Sequence, residues 1–396
     1  MNLRSIAILC ATAAALAAPV VAHAAAPTRS SANGGNFILM LGKDTTSFEK
    51  FTRTPSRLEV DQVGRSPRVM RRHFVYDYTQ GDLSHFSMVV RAAGDTAVTQ
   101  AIDAALGPDS IVTDIRTAGK PANRASVAAP KGTLVVPLTS RWPGYETLTM
   151  RLAQTKADSI HGNELYLGGT DVVPFGIVRI GTDSVEFHNQ VGDVFHARID
   201  AQGRVLGVLP VHSTGKFAVT RVASLDLDAM AAHYLAVDKA GGGMGVLSPR
   251  DTVKATDASG VWMWIDYGRP MVRGRTIFGQ VVPYGEVWRT GANAATQMKI
   301  ERPLVFEDTV VPAGFYTLWT VPSPDGWKLI INGETGQWGT EHKAEKDLYT
   351  IPMATTALPD LVEQFRISIM TSDSGDTVLA MDWDHTRATV HFHERR

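Results

Sequence analysis

The stretch FYTLWTVPSPDGWKLIIN, residues 315–332, repeats with a period of two on both sides of a turn. The turn lies at residues 323–326, where proline presets one backbone angle and glycine accepts conformations that other residues avoid. After it, Trp327, Leu329 and Ile331 share one side of the pattern. Because successive side chains of a strand point to opposite faces, the stretch predicts two β-strands joined by a tight turn.

Similar short strands continue to the end of the chain. Residues 365–369, 377–383 and 389–393 show the same alternation. Short alternating strands separated by turns are typical of sandwiches and barrels, so we predict a C-terminal β-sandwich over residues 246–396. We expect residues 332–357 to leave the sheet as a long excursion.

The N-terminal half, residues 36–239, shows hairpin patterns as well. One pair of alternating segments is 195–199 and 204–209, around a short glycine-containing loop. Residues 69–78 and 84–91 form a second pair. These patterns predict an antiparallel sheet.

Two stretches of this half have helical character, residues 96–106 and 226–237. The second is followed by a glycine-rich run at 240–245, which predicts a linker because glycine has large backbone entropy. The predicted fold class is therefore mainly β: an N-terminal antiparallel sheet domain with one or two helices, followed by the C-terminal β-sandwich.

The first residues have the features of an export signal. Arg4 precedes an apolar, alanine-rich run at 6–21, and Ala22 and Ala24 supply the small residues that a signal peptidase recognises. We predict a signal peptide at 1–24, disorder at 25–35, and a periplasmic or extracellular location. A membrane anchor is the alternative, but the run is short and ends in a cleavage pattern.

The cysteine content limits the available chemistry. The sequence has 396 residues and one cysteine, Cys10, which lies inside the predicted signal peptide. The mature chain therefore has no disulfide, thiolate metal site or cysteine nucleophile. No other apolar run is long enough to span a membrane, so no transmembrane segment is predicted in the mature chain.

Charge and motifs exclude several further classes. The net charge of -1 gives no electrostatic reason to expect nucleic acid as a partner. The sequence contains no Gly-x-Ser-x-Gly elbow, no His-Glu-x-x-His motif and no phosphate-binding loop. No cofactor is predicted.

The second half resembles a catalogued family. The residues that carry the resemblance are YGRP at 267–270, RTIFG at 275–279, VPYGEVWRTGAN at 282–293 and AGFY at 313–316. Together they resemble the bacterial family known as domain of unknown function 2911. The resemblance implies a secreted, β-rich domain and no established reaction, so it assigns no residue a catalytic role.

A cluster of arginine, tyrosine and asparagine lies in this family-like segment. Arginine presents a planar fork of donors that suits carboxylate, phosphate or sulfate, and nearby glycines place such side chains on tight turns. The predicted partner is an anionic or sugar-like ligand, or an envelope protein. The candidate ligand-binding residues are Tyr267, Arg269, Arg275, Tyr284, Arg289, Asn293 and Trp338.

A structural role is the alternative for the same residues. Arg275, Arg289 and Asn293 could stabilise the glycine-rich turns by bonding backbone carbonyl groups, with Glu286 as a further partner. A histidine or carboxylate within hydrogen-bond reach of a cleft lined by Arg289 and Asn293 would favour an enzyme. If these side chains bond backbone carbonyls and no cleft exists, the structural role is favoured over both functional interpretations.

Aromatic and histidine residues give weaker signals. Tryptophan could stack on sugar rings, although in alternating strands it more often belongs to the core. Seven of the eight tryptophans follow the glycine-rich run, and Trp338 is the best candidate for ligand contact. No metal site is predicted near the C-terminus, because no third ligand has a diagnostic spacing. The residues considered were Asp382, Asp384, His385, His391 and His393.

Two hypotheses for function follow. The first is a secreted, non-catalytic envelope protein whose C-terminal domain binds a ligand, glycan or protein partner. The alternative is a secreted hydrolase in which Arg275, Arg289 and Asn293 stabilise a developing anion while a histidine or aspartate acts as base. Whether the protein is an enzyme is left open by the sequence.

Overall fold

The computed structural model describes residues 33–190, 192–213, 215–257, 260–371 and 377–395. The predicted signal peptide and most of the predicted disordered segment lie outside these residues. The first strand begins at Gly34, so the disorder predicted for residues 34 and 35 is wrong. The protein is mainly β with two sheets, one on each side of the predicted boundary, which confirms the predicted fold class.

The N-terminal sheet has fifteen strands. They are β1 (Gly34–Leu41), β2 (Asp44–Thr54), β3 (Arg57–Gly64), β4 (Met70–Thr79), β5 (Asp82–Ala92), β6 (Val98–Leu106), β7 (Ser110–Thr117), β8 (Asn123–Ala128), β9 (Leu134–Val136), β10 (Ser159–Tyr166), β11 (Val172–Arg179), β12 (Ser184–Asn189), β13 (Val194–Ile199), β14 (Val205–His212) and β15 (Ala218–Val222). Their order is β8 to β1 followed by β15 to β9, so two meanders meet where β1 pairs with β15. Both predicted hairpins are confirmed as β4–β5 and β13–β14.

A helix that the sequence analysis missed lies on the inner face of this sheet. Helix α1 (Trp142–Ala153) has no side-chain N-cap, but proline stands in its first turn, where the missing N–H costs nothing. Its buried residues include Trp142, Tyr145 and Leu152. The Tyr145 ring lies 4.4 Å from that of Phe187, so the helix belongs to the same core as the sheet.

A fully buried carboxylate joins this helix to two strands. Glu146 forms an ion pair with Arg53 of β2 at 2.8 Å and another with Arg221 of β15. The Glu146 Oε2 that contacts Arg221 also accepts a hydrogen bond from the backbone N–H of Val205 at 2.9 Å. Both arginine side chains are nearly buried, so two poorly hydrated cations share the single negative charge of Glu146.

The predicted helix at 96–106 is wrong, because residues 98–106 form strand β6. Alanine favours helix in isolation, but Ile102 and Ala104 alternate with exposed Asp103, which gives the period of a strand. Pairing with β5 and β7 on both sides outweighs the weak helical preference.

The second predicted helix is confirmed as α2 (Leu227–Val237). The Asp226 side chain caps it by accepting the N–H of Ala229 at 2.9 Å. The chain continues beyond α2 as a wide helical turn over Asp238–Gly242. Gly241 has φ +83 within this turn, a left-handed conformation that ends the helix, and Gly243 is extended.

The C-terminal sheet has nine strands. They are β16 (Arg250–Asp257), β17 (Gly260–Gly268), β18 (Thr296–Ile300), β19 (Leu304–Phe306), β20 (Thr309–Val311), β21 (Gly314–Val321), β22 (Trp327–Asn332), β23 (Asp347–Thr371) and β24 (Thr377–Glu394). Residues 347–353 of β23 pair with β22, and residues 354–371 pair with β24. This long strand connects the two parts of the sheet, whose apolar residues form one core.

The predicted excursion at 332–357 is shorter than expected. Only residues 333–346 leave the sheet, because β23 begins at Asp347. A short 3-10 turn, Ala344–Lys346, ends the loop.

The two domains contact each other through the turn between β1 and β2. The Lys43 N–H donates to the carbonyl of Arg273 at 3.0 Å, and Arg273 forms an ion pair with Asp44 at 2.5 Å. Gly42 has φ +60, and a Cβ there would come within 2.4 Å of the Arg273 carbonyl oxygen. This close approach requires glycine and fixes one wall of the space between the domains.

Candidate functional site

A cavity of about 570 Å³ lies between the two domains. The N-terminal domain contributes the end of β14 and the loop to β15, including His212 and Lys216. The C-terminal domain contributes residues 281–283, 286–289 and 291–293 and part of the 333–346 loop. The volume is within the range of small-molecule sites, which commonly form between domains.

Residues 285–293 present Arg289 from a strongly constrained turn. Buried Trp288 exchanges two backbone hydrogen bonds with Thr320 of β21, at 2.7 and 2.8 Å. Thr290 and Asn293 adopt left-handed backbone conformations that residues other than glycine seldom adopt. Such strain persists only where the surroundings stabilise it, and it is concentrated at functional sites.

Arg289 has few partners for its positive charge. One guanidinium nitrogen donates a long bond of 3.4 Å to the carbonyl of Gly339, and its buried Nε has no hydrogen-bond partner. Within the described part of the chain, no carboxylate forms an ion pair with Arg289. Burial lowers the pKa of Arg289 to about 10. A guanidinium with five donors and one weak bond is incompletely satisfied by the protein.

Lys216 lines the same cavity without an ion pair to any described residue. Burial, followed by the charges of Arg289 and Arg275, lowers the pKa of Lys216 to about 8. Burial also lowers the pKa of His212, and the charge of Lys216 lowers it further. These directions agree with the placement of several cationic side chains around one partly enclosed cavity.

Acidic groups balance this charge only in part. Glu286 lines the cavity as an exposed side chain. Asp193 lies nearby, but its carboxylate already accepts from Arg141 at 3.1 Å and from the hydroxyl of Ser213 at 2.7 Å. The cavity therefore retains a positive potential that favours an anion.

Arg275 lines the cavity and also has a structural role. Its Nε donates to the Val272 carbonyl at 3.0 Å and one terminal nitrogen donates to the Met271 carbonyl at 2.6 Å. The bonds match the structural alternative for this residue. A cleft nevertheless lies beside Arg289 and Asn293, which the structural alternative does not require.

The structure places the other sequence-predicted residues away from the cavity lining. The buried Tyr267 hydroxyl accepts the N–H of Ile367 at 3.0 Å, and Arg269 forms an ion pair with Asp251. Tyr284 and Trp338 are exposed, Trp338 by 43%. Arg275, Arg289 and Asn293 are thus the three predicted residues that the fold brings together around the cavity.

The tryptophans of the C-terminal domain have mixed positions. Trp288 and Trp383 stack with their ring centroids 5.6 Å apart, and both also line the cavity. Trp319 and Trp327 are buried as well. Four of the seven thus belong to the core, and three of these, Trp288, Trp319 and Trp383, line the cavity.

Lys216 and His212 were missed by the sequence analysis. Both lie in the N-terminal domain, and Lys216 has no neighbouring motif. Their contribution depends on how one domain lies against the other, which a local sequence pattern does not encode. The sequence around Gly42, whose turn makes the contact between the domains, likewise contains no pattern that predicts this contact.

The described residues contain no metal centre or membrane-crossing helix. No three histidine, cysteine, aspartate or glutamate side chains among them are arranged to hold a metal ion. Asp382, considered as a ligand, is buried in ion pairs with Arg366 and Arg387. No helix in the same residues has the length and apolar character needed to cross a membrane.

The fold and cavity define a two-domain β protein with a positively charged interdomain site. Residues 248–392 match the family described as protein of unknown function (DUF2911), which confirms the resemblance of the C-terminal region. No curated protein matches the chain. The match covers the arginine-bearing wall of the cavity but not the wall that carries Lys216.

Proposed function

We propose that the protein is a non-catalytic binding protein that holds a small organic anion in the interdomain cavity. The observation that carries the proposal is Arg289, a poorly solvated cation without a carboxylate partner, in the same cavity as Lys216. From residues 1–24 we infer that the protein is exported and acts in the bacterial envelope or outside the cell.

An anion in this cavity would offset the electrostatic cost of placing Arg289 and Lys216 side by side. Removing a charge from water is unfavourable unless an opposite charge and hydrogen bonds compensate for it. A carboxylate or phosphate can accept two parallel bonds from a guanidinium and another from an ammonium group. An uncharged sugar would leave both cations unneutralised, and Trp338, the candidate for sugar stacking, does not line the cavity.

The hydrolase alternative has one observation in its favour. His342 lines the cavity, and its Nε2 lies 2.9 Å from a carboxylate oxygen of Asp347. A histidine oriented by a carboxylate can act as a general base. This alternative predicts turnover of p-nitrophenyl acetate that is lost in His342→Ala. Absence of turnover in the wild-type protein would remove it.

We expect Arg289→Met to weaken anion binding about tenfold to a hundredfold, because a charge-assisted hydrogen bond contributes about 1.5–3 kcal/mol. Methionine keeps an apolar stem beside Gly339, and loss of an unpaired buried charge should not reduce stability. Calorimetric titration of the full chain with octanoate and inorganic phosphate at pH 7 measures the change. Arg198→Met is the matched control, because Arg198 is exposed and does not line the cavity. Equal binding by Arg289→Met and the wild type would contradict the proposal.

We expect octanoate affinity to fall about tenfold between pH 7 and pH 9, because Lys216 changes from mainly charged to mainly neutral around its pKa of about 8. A bound anion favours the protonated amine, so binding raises this pKa and takes up protons near pH 8. The lowered pKa of His212 leaves that group neutral across this range. Titrations at several pH values measure the profile, and Lys216→Met should flatten it. A wild-type profile that does not change up to pH 9 would exclude Lys216 as an anion contact.

A further inference from the structure

We propose that the bound anion is a single-chain amphiphile, with a carboxylate or phosphate head on Arg289 and Lys216 and a hydrocarbon tail on the apolar lining of the cavity. The proposal rests on the proposed anion site and adds the chemical class of the ligand.

Exposed apolar side chains from three separate segments converge on this cavity. Val211 of β14 is 52% exposed, Val246 beyond α2 is 56% exposed, and Val287 beside Arg289 is 41% exposed. All three line the cavity. Apolar residues exposed singly are ordinary, but residues that converge on one concave site indicate a surface that a ligand covers.

A smaller cavity of about 90 Å³ adjoins the main one and extends its apolar lining. The two cavities share Phe217 and Leu247, and Leu39 and Leu138 line the smaller one. Leu138 is 63% exposed. The shared residues, which also include Ser66, place apolar surface of the smaller cavity directly beside the main cavity.

Two arginine side chains also line the smaller cavity, and both bond neutral groups. The Arg65 guanidinium donates to the Thr45 carbonyl at 2.6 Å and lies 3.8 Å from the ring centroid of Tyr234, while its buried Nε has no hydrogen-bond partner. Arg72 donates to Gln62 at 3.1 Å. The assignment of the head group to Arg289 and Lys216 and of the tail to apolar lining therefore rests on the main cavity, where the three valines lie.

A small anion without a hydrocarbon tail would use only part of this site. Phosphate or acetate could neutralise Arg289 and Lys216 but would leave the three valines in contact with water. Burying apolar surface is favourable in proportion to its area, by about fourfold in affinity for each methylene group fully removed from water. The complementarity therefore favours an anion with a tail.

Titration of the full chain with a chain-length series tests the inference. The probes are acetate, butanoate, hexanoate, octanoate and decanoate, with octyl phosphate as a second head group and octanol as an uncharged tail. We expect affinity to rise about two- to fourfold per methylene until the tail fills the cavities. Octanol should bind much more weakly than octanoate.

Matched variants separate the tail contacts from the head contacts. Val246→Asn and Val211→Asn should each flatten the dependence on chain length while acetate binding is unchanged. Arg289→Met should weaken every anion by a similar factor. Ile180→Asn is the control, since Ile180 is 48% exposed and lies outside both cavities. Melting temperatures identify a variant that fails to fold, in which case the other valine variant decides.

The possible failures are distinguishable. If acetate binds as tightly as octanoate and Arg289→Met weakens both, the tail proposal is overturned and the anion site remains. If no probe binds to the wild-type protein, or if Arg289→Met binds every probe as the wild type does, the proposed function itself fails. Binding to vesicles of phosphatidylglycerol without binding of octanoate would overturn the single-chain ligand in favour of a membrane lipid.

Discussion

Glu146→Gln is expected to lower the free energy of unfolding by about 3–5 kcal/mol, which is the cost of removing one partner from a buried ion pair. The substitution keeps the size of the side chain but removes its negative charge. Arg53 and Arg221 would then be two nearly buried guanidinium groups without a counter-charge, and they face the same point between α1 and the sheet. Urea unfolding followed by tryptophan fluorescence measures the change.

Glu186→Gln provides the comparison for this effect. Glu186 pairs with His196 on the outer face of the sheet, where both side chains are about one-third or more exposed. Exposed ion pairs contribute about 0–1 kcal/mol, so this variant should unfold nearly like the wild type. Similar losses in the two variants would show that the Glu146 network contributes no more than a surface pair.

Gly339→Ala is expected to weaken octanoate binding at least about tenfold, a loss similar to that of the charge itself. A Cβ at residue 339 would lie 2.0 Å from the Arg289 Cδ and 2.3 Å from the Asn293 carbonyl oxygen. Neither separation is possible, so Arg289 must move or the bond from the Gly339 N–H to Asn293 must break. Calorimetric titration at pH 7 measures the affinity.

Gly333→Ala is the matched control in the same loop. Its Cβ would meet only the side-chain end of Leu348, at 3.2 Å, which can rotate away. Affinity and melting temperature should therefore stay close to those of the wild type. If Gly339→Ala binds octanoate as the wild type does, the position of Arg289 does not control binding.

The strands were predictable from the sequence where the two faces of a strand had contrasting surroundings or where a clear turn joined two strands. Alternation located β13, in which buried and exposed residues alternate. The turn at 323–326 located β21 and β22, although consecutive residues of both strands are buried and their faces do not contrast. Alternation failed at β6, where alanine and small polar residues blur the contrast and resemble a helix. It also failed at α1, whose side chains are enclosed by the sheet and whose start lacks a capping side chain.

Only the C-terminal-domain wall of the cavity was predictable from the sequence. The glycine-rich turns pointed to Arg275, Arg289 and Asn293, because tight turns commonly position side chains for binding. The same turns also pointed to Tyr267 and Arg269, which are of similar residue types but bond the backbone of the neighbouring strand. The sequence pattern does not distinguish these two roles. Lys216 could not be found, since its role depends on the contact between two domains.

The junction between β1 and β15 has a consequence for how the N-terminal domain folds. Within each meander, every strand can pair with the strand made just before it, at little cost in loop entropy. The junction is different, because Asn36 lies opposite Val222. One edge of β1 therefore stays unpaired until β15, the last strand of this sheet in the sequence, has been synthesised. Long-range pairings of this kind are slow and leave strand edges open to aggregation, so chaperone protection during maturation would matter most for this strand.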